Sequence, residues 1–322
     1  MRKQLDGLLA FTGPQGLCGI EDIGVRRTRF EELIEAAASR TPSYPEVSRE
    51  DCIIEVADGP DVAVRLYRPE AATEPSAAVM YLHGGGLVMG GIGTDEAIAA
   101  GISAGIECLT MSVEYRLAPE HPYPAALEDA YAALCWLVDS APRLGVDANR
   151  IGLYGTSAGG GLAAALALYC RDRSGPAIAH QLLVAPMLDD RSPDGTGEPL
   201  ADLGVWDAAA NLQAWASILV GKAGTSDVPA YAAPARAEKL AGLPPTYIEV
   251  GDLDLFLGED VRFALQLAAA AVPVELHVYP GAYHGFESLA PRSDTAVAAQ
   301  RNRHSALKRA LCIGAESRPP QA

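Results

Sequence analysis

Residues 150–166 read Arg-Ile-Gly-Leu-Tyr-Gly-Thr-Ser-Ala-Gly-Gly-Gly-Leu-Ala-Ala-Ala-Leu, and the fold turns on how this stretch is read. A short apolar run ends at Gly155, a glycine-rich turn follows, and a run of helix formers begins. A buried strand that enters a tight turn and leaves as a helix pushes the residue at the turn, Ser157, above the end of a sheet. Gly155, Ala158 and Gly159 are the small neighbours such a turn needs. The pattern G-x-S-x-G also occurs at Gly101–Gly105, but there the context is reversed. Helix-like Asp95-Glu-Ala-Ile-Ala-Ala precedes it and strand-like Glu107-Cys-Leu-Thr-Met-Ser-Val follows. Gly101 and Ser103 therefore read as part of a helix packed close to the sheet, closed by Gly105. A phosphate-binding loop is excluded, because no Gly-Lys-Ser or Gly-Lys-Thr follows the glycines. A dinucleotide fingerprint is excluded by the spacing of Gly152, Gly155 and Gly159.

Working outward, strand-like and helix-like segments alternate. Strand candidates are Ala78–Leu82, Cys108–Val113, Arg150–Tyr154, Gln181–Ala185, Thr246–Val250 and Val274–Tyr279, mostly continuous apolar runs, as buried parallel strands are. Helix candidates are Thr94–Ser103, Pro124–Ser140, Gly159–Arg173 and Glu259–Ala271. Before them, Val62, Val64 and Leu66 alternate with Ala63, Arg65 and Tyr67 behind Asp58-Gly59-Pro60, which reads as a hairpin. The whole predicts an α/β architecture with a mostly parallel sheet covered on both faces. Two segments break the alternation. Residues 1–45 read as helical, with Phe30, Leu33, Ile34 and Ala37 at helical spacing. Residues 190–234 contain a helix candidate near Trp206–Val220. Both are expected to contribute to a helical cap over the sheet's active edge, with the catalytic domain spanning 46–313 and a disordered tail at 314–322. Trp206 and Trp215 read as packing residues of the cap.

A serine nucleophile needs a base, an acid to orient the base, and donors for an oxyanion. The run Tyr81-Leu-His-Gly-Gly-Gly supplies donors, since it leaves a buried strand and ends in glycines whose N–H groups are unshielded. The backbone N–H groups of Gly84 and Gly85, with that of Ala158, are the expected oxyanion hole. Of six histidines, His83 reads as an anchor of this loop, His121 as a turn residue, His180 and His277 as strand residues, and His304 as part of a polar terminal helix. His284, on a loop after the last strand, is the expected base. The acid should follow the preceding strand, and Asp252 and Asp254 both stand there. Asp189 and Asp190 are a weaker third choice. The order Ser, Asp, His along the chain is that of α/β-hydrolases.

At these residues the sequence resembles the bacterial hormone-sensitive-lipase-like esterases, cap-bearing α/β-hydrolases with a His-Gly-Gly-Gly loop. The shared motifs are His83-Gly-Gly-Gly, Val113-Glu-Tyr-Arg-Leu-Ala-Pro-Glu-His-Pro-Tyr-Pro-Ala-Ala, Gly155-Thr-Ser-Ala-Gly-Gly, Gly242-Leu-Pro-Pro-Thr and Tyr283-His-Gly-Phe. The resemblance selects Asp254 as the acid, in Asp254-Leu-Phe, with Phe256 where leucine is usual. It implies hydrolysis of short- to medium-chain acyl esters through an acyl-enzyme, with no metal or organic cofactor, and frequent homodimers. Amide or lactone hydrolysis by the same residues, or a non-catalytic receptor for a small ligand, are the alternatives. Arg116, within the second motif, reads as a paired residue that fixes loops behind the site.

Composition agrees with this class. The chain has 322 residues, 49% of them hydrophobic, enough to bury a sizeable core without disulfides or metals. Cys18, Cys52, Cys108, Cys135, Cys170 and Cys312 form no C-x-x-C pair and read as small apolar side chains in a reducing cytosol. A net charge of -16 repels polyanions, so nucleic acid and anionic membrane surfaces are poor partners. No uncharged apolar run reaches membrane-spanning length, and a cytoplasmic protein is expected.

Overall fold

The computed structural model describes residues 17, 19–37, 42–57, 59–72, 75–191 and 205–312. The expected tail at 314–322 lies outside the described residues, as do residues 1–16, 38–41 and 192–204 of the expected cap segments. Helix α1 (Ile23–Ala37) precedes the hairpin β1 (Val47–Ile54) and β2 (Val62–Pro69). Then come β3 (Ser76–Leu82), α2 (Glu96–Ile106), β4 (Leu109–Glu114), α3 (Ala125–Asp139), β5 (Val146–Thr156) and α4 (Ala158–Asp172). They are followed by β6 (His180–Val184), α5 (Ala208–Ile218), β7 (Thr246–Gly251), α6 (Leu257–Ala269), β8 (Val274–Tyr279) and α7 (Asp294–Leu307).

The eight strands form one sheet in the order β1-β2-β4-β3-β5-β6-β7-β8. β1 pairs antiparallel to β2, from Val47 opposite Pro69 to Ile54 opposite Val62. β2 pairs antiparallel to β4, and every later pairing is parallel. The alternating run of β2 points Val62, Val64 and Leu66 into the core. All residues of β3, β6 and β7 are buried, because helices cover both faces of a parallel sheet. Helices α3, α4 and α6 pack on one face, through residues such as Leu134, Leu166 and Phe263. Helices α2 and α7 pack on the other, through Ile102, Ile106 and Leu307. A third cluster joins Leu33 of α1 to Ala214, Trp215 and Ile218 of α5, together with Ala158, Met187, Trp206 and Phe256.

One boundary differs from the sequence reading. Helix α2 does not close at Gly105 but runs to Ile106, and Glu107 takes the left-handed conformation at φ 56°. Gly105 is needed for another reason. A Cβ there would fall 2.2 Å from the His304 ring of α7, so the glycine lets two helices approach closely. Ser103 is buried inside α2, where its hydroxyl donates to the carbonyls of Tyr67 and Cys108 at 3.0 Å each.

Candidate active site

The parallel strands end at one edge, and the candidate residues gather on the loops that leave it. Ser157 stands between β5 and α4 with φ 56° and ψ −122°. A non-glycine residue held there costs on the order of 1–3 kcal/mol, and the surroundings enforce it. The Ser157 N–H donates to the Val184 carbonyl at 2.7 Å. A Cβ at Gly155 would lie 2.1 Å from the Gly159 carbonyl oxygen, and one at Gly159 would lie 2.1 Å from that of Leu82. The small residues of the turn are thus set by backbone packed on backbone.

His284 reaches Ser157 from the loop after β8. Its Nε2 lies 3.0 Å from Ser157 Oγ, and its Nδ1 lies 2.9 Å from Asp254 Oδ2. The other oxygen of Asp254 accepts the Phe256 N–H at 3.0 Å. All three side chains are buried. Burial alone would push the imidazole down, but the Asp254 carboxylate, its hydrogen bond and the charge of Glu287 outweigh it. The net direction is upward from the ordinary 6.5. The other acid candidates are engaged elsewhere. Asp252 accepts the Gly281 N–H at 2.6 Å, Asp189 pairs with Arg191 at 2.8 Å, and Asp190 pairs with Arg236 at 2.5 Å.

The glycine loop after β3 is pinned from two sides. His83 stacks on Tyr115, with ring centroids 4.1 Å apart, and the Tyr115 hydroxyl donates to the His83 carbonyl at 2.7 Å. Burial holds His83 below its ordinary pKa, hence neutral. Asp95 stands at the start of α2 but makes no cap hydrogen bond. Its carboxylate turns inward instead, accepting from the Tyr81 hydroxyl at 2.6 Å and from the Gly84 N–H at 3.3 Å. The Gly84 N–H is therefore occupied, whereas those of Gly85 and Gly86 meet no acceptor among the described residues. Gly86 was not singled out in the sequence, although it is the third glycine of the same run. The signal was there in its side-chain-free backbone, but which glycine N–H groups stay free depends on Asp95, eleven residues downstream of Gly84.

Gly86 also takes a tryptophan. Its φ is 66°, and a Cβ there would fall 2.1 Å from Trp206 Cη2, so the indole rests on the loop. Trp215, expected only to pack α5, also lines a narrow cleft. Ala158, Gly161, Leu162 and Ala165 form one wall of it, and Leu87, Ile218 and Tyr231 join the other walls. The spacing of the first four is that of one helical face, so the cleft runs along α4 from the residue next to Ser157. Arg116 contributes to the cleft while bonded to Asp129 through Nε at 2.9 Å and Nη2 at 2.8 Å. His121 also lines it, away from the Ser157–His284 contact.

The remaining histidines have structural settings. His180 and His304 are both held down to about 4, first by burial. His277 bonds to Glu275 at 2.8 Å and stacks between Tyr247 and Tyr279.

A serine on a strand–turn–helix elbow, with a histidine and a carboxylate lined up at the same sheet edge, is the arrangement of an α/β-hydrolase. A family model described as alpha/beta hydrolase fold matches residues 79–288. Esterase LipI of Mycobacterium tuberculosis is 40% identical over 271 residues, covering 83% of this chain and 81% of LipI. Carboxylesterase NlhH of the same species is 35% identical over 311 residues, covering 94% of each chain. Among solved structures, esterase LipW of Mycobacterium marinum superposes with a TM-score of 0.83 at 37% identity, covering 91% of each chain. The chain belongs to the alpha/beta hydrolase family, within the bacterial hormone-sensitive-lipase-like esterases that its motifs resemble.

Proposed function

We propose that this carboxylic ester hydrolase works through Ser157, His284 and Asp254 on esters with short- to medium-length acyl chains. The observation that carries the reading is the buried relay of 3.0 Å and 2.9 Å from Ser157 through His284 to Asp254. His284 Nε2 takes the serine proton as Oγ attacks the ester carbonyl, and Asp254 holds the imidazole in the tautomer with a proton on Nδ1. Negative charge gathers on the former carbonyl oxygen. Backbone N–H groups of the glycine loop and of Ala158 face that oxygen; Gly85 and Gly86 fit this role better than Gly84, whose N–H points to Asp95. Protonated His284 then gives its proton to the leaving alcohol. Water, activated by the same imidazole, attacks the acyl-enzyme and frees the acid.

The cleft along α4 suits the acyl tail. It runs past about two turns of helix, roughly 10 Å at 1.5 Å per residue, and its walls are mainly aliphatic and aromatic. The clustering of α1 and α5 above Ala158, Met187 and Phe256 supports the reading of these helices as a cap. Among the described residues, no helix is long and apolar enough to cross a membrane. Cys52, Cys135 and Cys170 are free thiols, which suits a reducing compartment, and we place the enzyme in the cytoplasm. We further propose a homodimer joined along β8, an edge strand that leaves Val278 exposed.

The test is hydrolysis of a chromogenic ester series of increasing acyl length by the wild type, Ser157→Ala and Ser103→Ala. Turnover should vanish in Ser157→Ala, persist in Ser103→Ala, and decline once the acyl tail outgrows the cleft. Full activity in Ser157→Ala would remove the nucleophile assignment.

A further inference from the structure

The two in-plane hydrogen bonds of His284 leave one freedom unconstrained. A ring held only at Nδ1 and Nε2 can still tilt about the line that joins those contacts. Such tilting changes neither hydrogen bond much, so the two bonds oppose it only weakly, while the direction from which Nε2 meets the leaving alcohol changes. A catalytic imidazole therefore needs a packing contact besides these two bonds.

Phe256 supplies that contact. Its ring meets the His284 ring at 85° with centroids 5.2 Å apart, the edge-to-face arrangement that aromatic pairs favour. Phe256 is fully buried and is itself firmly mounted. Its N–H donates to Asp254 Oδ1 at 3.0 Å, and its carbonyl accepts the Asp260 N–H at 3.0 Å, in the first turn of α6. Its side chain belongs to the cluster of Ala158, Met187 and Trp206. One residue thus touches the acid through its backbone and the base through its ring.

We infer that Phe256 is a positioning residue for the catalytic base: its ring fixes the tilt of His284 while its N–H fixes the orientation of Asp254. The inference rests on the assignment of His284 as base. A leucine at this position would fill space without presenting a flat ring, so the imidazole would sample tilted orientations. The charged groups acting on His284 are Asp254 and Glu287, and neither changes in the substitution. Burial also acts on His284, so a change in its titration reports altered geometry only when the low-field Nδ1–H resonance changes with it.

The experiment compares wild type with Phe256→Leu and Phe256→Met, with His284→Ala as a control, on one short chromogenic ester. Each variant is read for kcat, KM, the acid limb of the pH–rate profile, thermal unfolding, and the low-field proton resonance of the buried Nδ1–H. The expected result is a fall in kcat of about threefold to tenfold, the scale of an aromatic pair, with KM within about twofold. The acid limb should shift and the low-field resonance should broaden or move. Phe256→Met decides the matter if Phe256→Leu does not fold. Unchanged kcat, pH midpoint and resonance in a folded variant, with His284→Ala inactive, would overturn the inference and leave the base assignment standing. So would a variant whose only change is lower thermal stability. An active His284→Ala would instead overturn the base assignment itself.

Discussion

Ser157 and His284 show how much chemistry rests on single-residue settings. The serine is held in a left-handed conformation that only glycine tolerates easily, and the neighbouring glycines exist because carbonyl oxygens occupy the space their side chains would need. The histidine is buried yet raised above 6.5, which fixes the sign of its pH dependence. In the proposed relay only the neutral imidazole accepts the serine proton, so kcat/KM should rise as pH climbs through this pKa, with a midpoint above 6.5. Glu287 adds to the upward direction, and Glu287→Gln should lower the midpoint. A pH–rate profile on a short ester measures both effects. A wild-type midpoint well below 6.5, or no response to Glu287→Gln, would contradict them. At this scale the motifs were legible in the sequence, since chain order and strand–turn–helix context separated Ser157 from Ser103. The choice among glycine donors was not. It depends on the inward turn of Asp95, and a residue at a helix start ordinarily bonds to its own helix.

Helix α6 carries a feature that no periodicity reveals. Asp260 lies in its first turn, where a carboxylate ordinarily favours the helix dipole. Here the side chain is fully buried, and neither oxygen has a hydrogen-bond partner among the described residues. Burial, then the charges of Glu259 and Asp254, push its carboxyl well above the usual 3.8. A folded-state pKa raised in this way means the native protein retains a proton that the unfolded chain has lost. Stability from this group therefore declines as pH rises from about 4 toward the folded-state value. Asp260→Leu, close in shape, should stabilise the protein by about 1–3 kcal/mol near neutral pH, the cost of an unpaired buried polar group. Its advantage should be larger at pH 8 than at pH 5. Urea unfolding at the two pH values checks this, and an equal or reversed difference would show that the carboxyl is not held neutral. The other elements were legible from hydrophobic period, because buried parallel strands are continuous apolar runs and β2 alternates. Helix ends were less so. Gly105 looked like a stop signal, whereas its missing side chain serves the approach of His304 from almost two hundred residues away.

Across the molecule, the sheet order brings the loops after β3, β5, β7 and β8 to one edge, so residues scattered from 83 to 284 meet there. That convergence follows from the parallel pairing of these strands, and for this reason a list of motifs was enough to anticipate the fold. Charge acts at the same scale. Each chain carries -16, so two copies repel at long range, and a dimer along β8 must overcome this through the edge strand. Light scattering should give twice the chain mass, more completely at 0.2 M than at 10 mM salt as screening grows. Val278→Lys should return the mass to that of one chain, because a lysine on an edge strand opposes pairing. A single-chain mass for the wild type at every salt concentration would remove the dimer proposal.

The indole of Trp206 resting on Gly86 also bears on how such a chain can change over generations. Even a methyl group at position 86 would collide with the indole, and the positive φ there favours glycine as well. The two positions are inherited as lock and key. A recombinant that borrows the 205–219 segment from one relative and the glycine loop from another inherits half of each pair. Its ancestry, more than the quality of either parent, then decides whether the glycine loop keeps its shape.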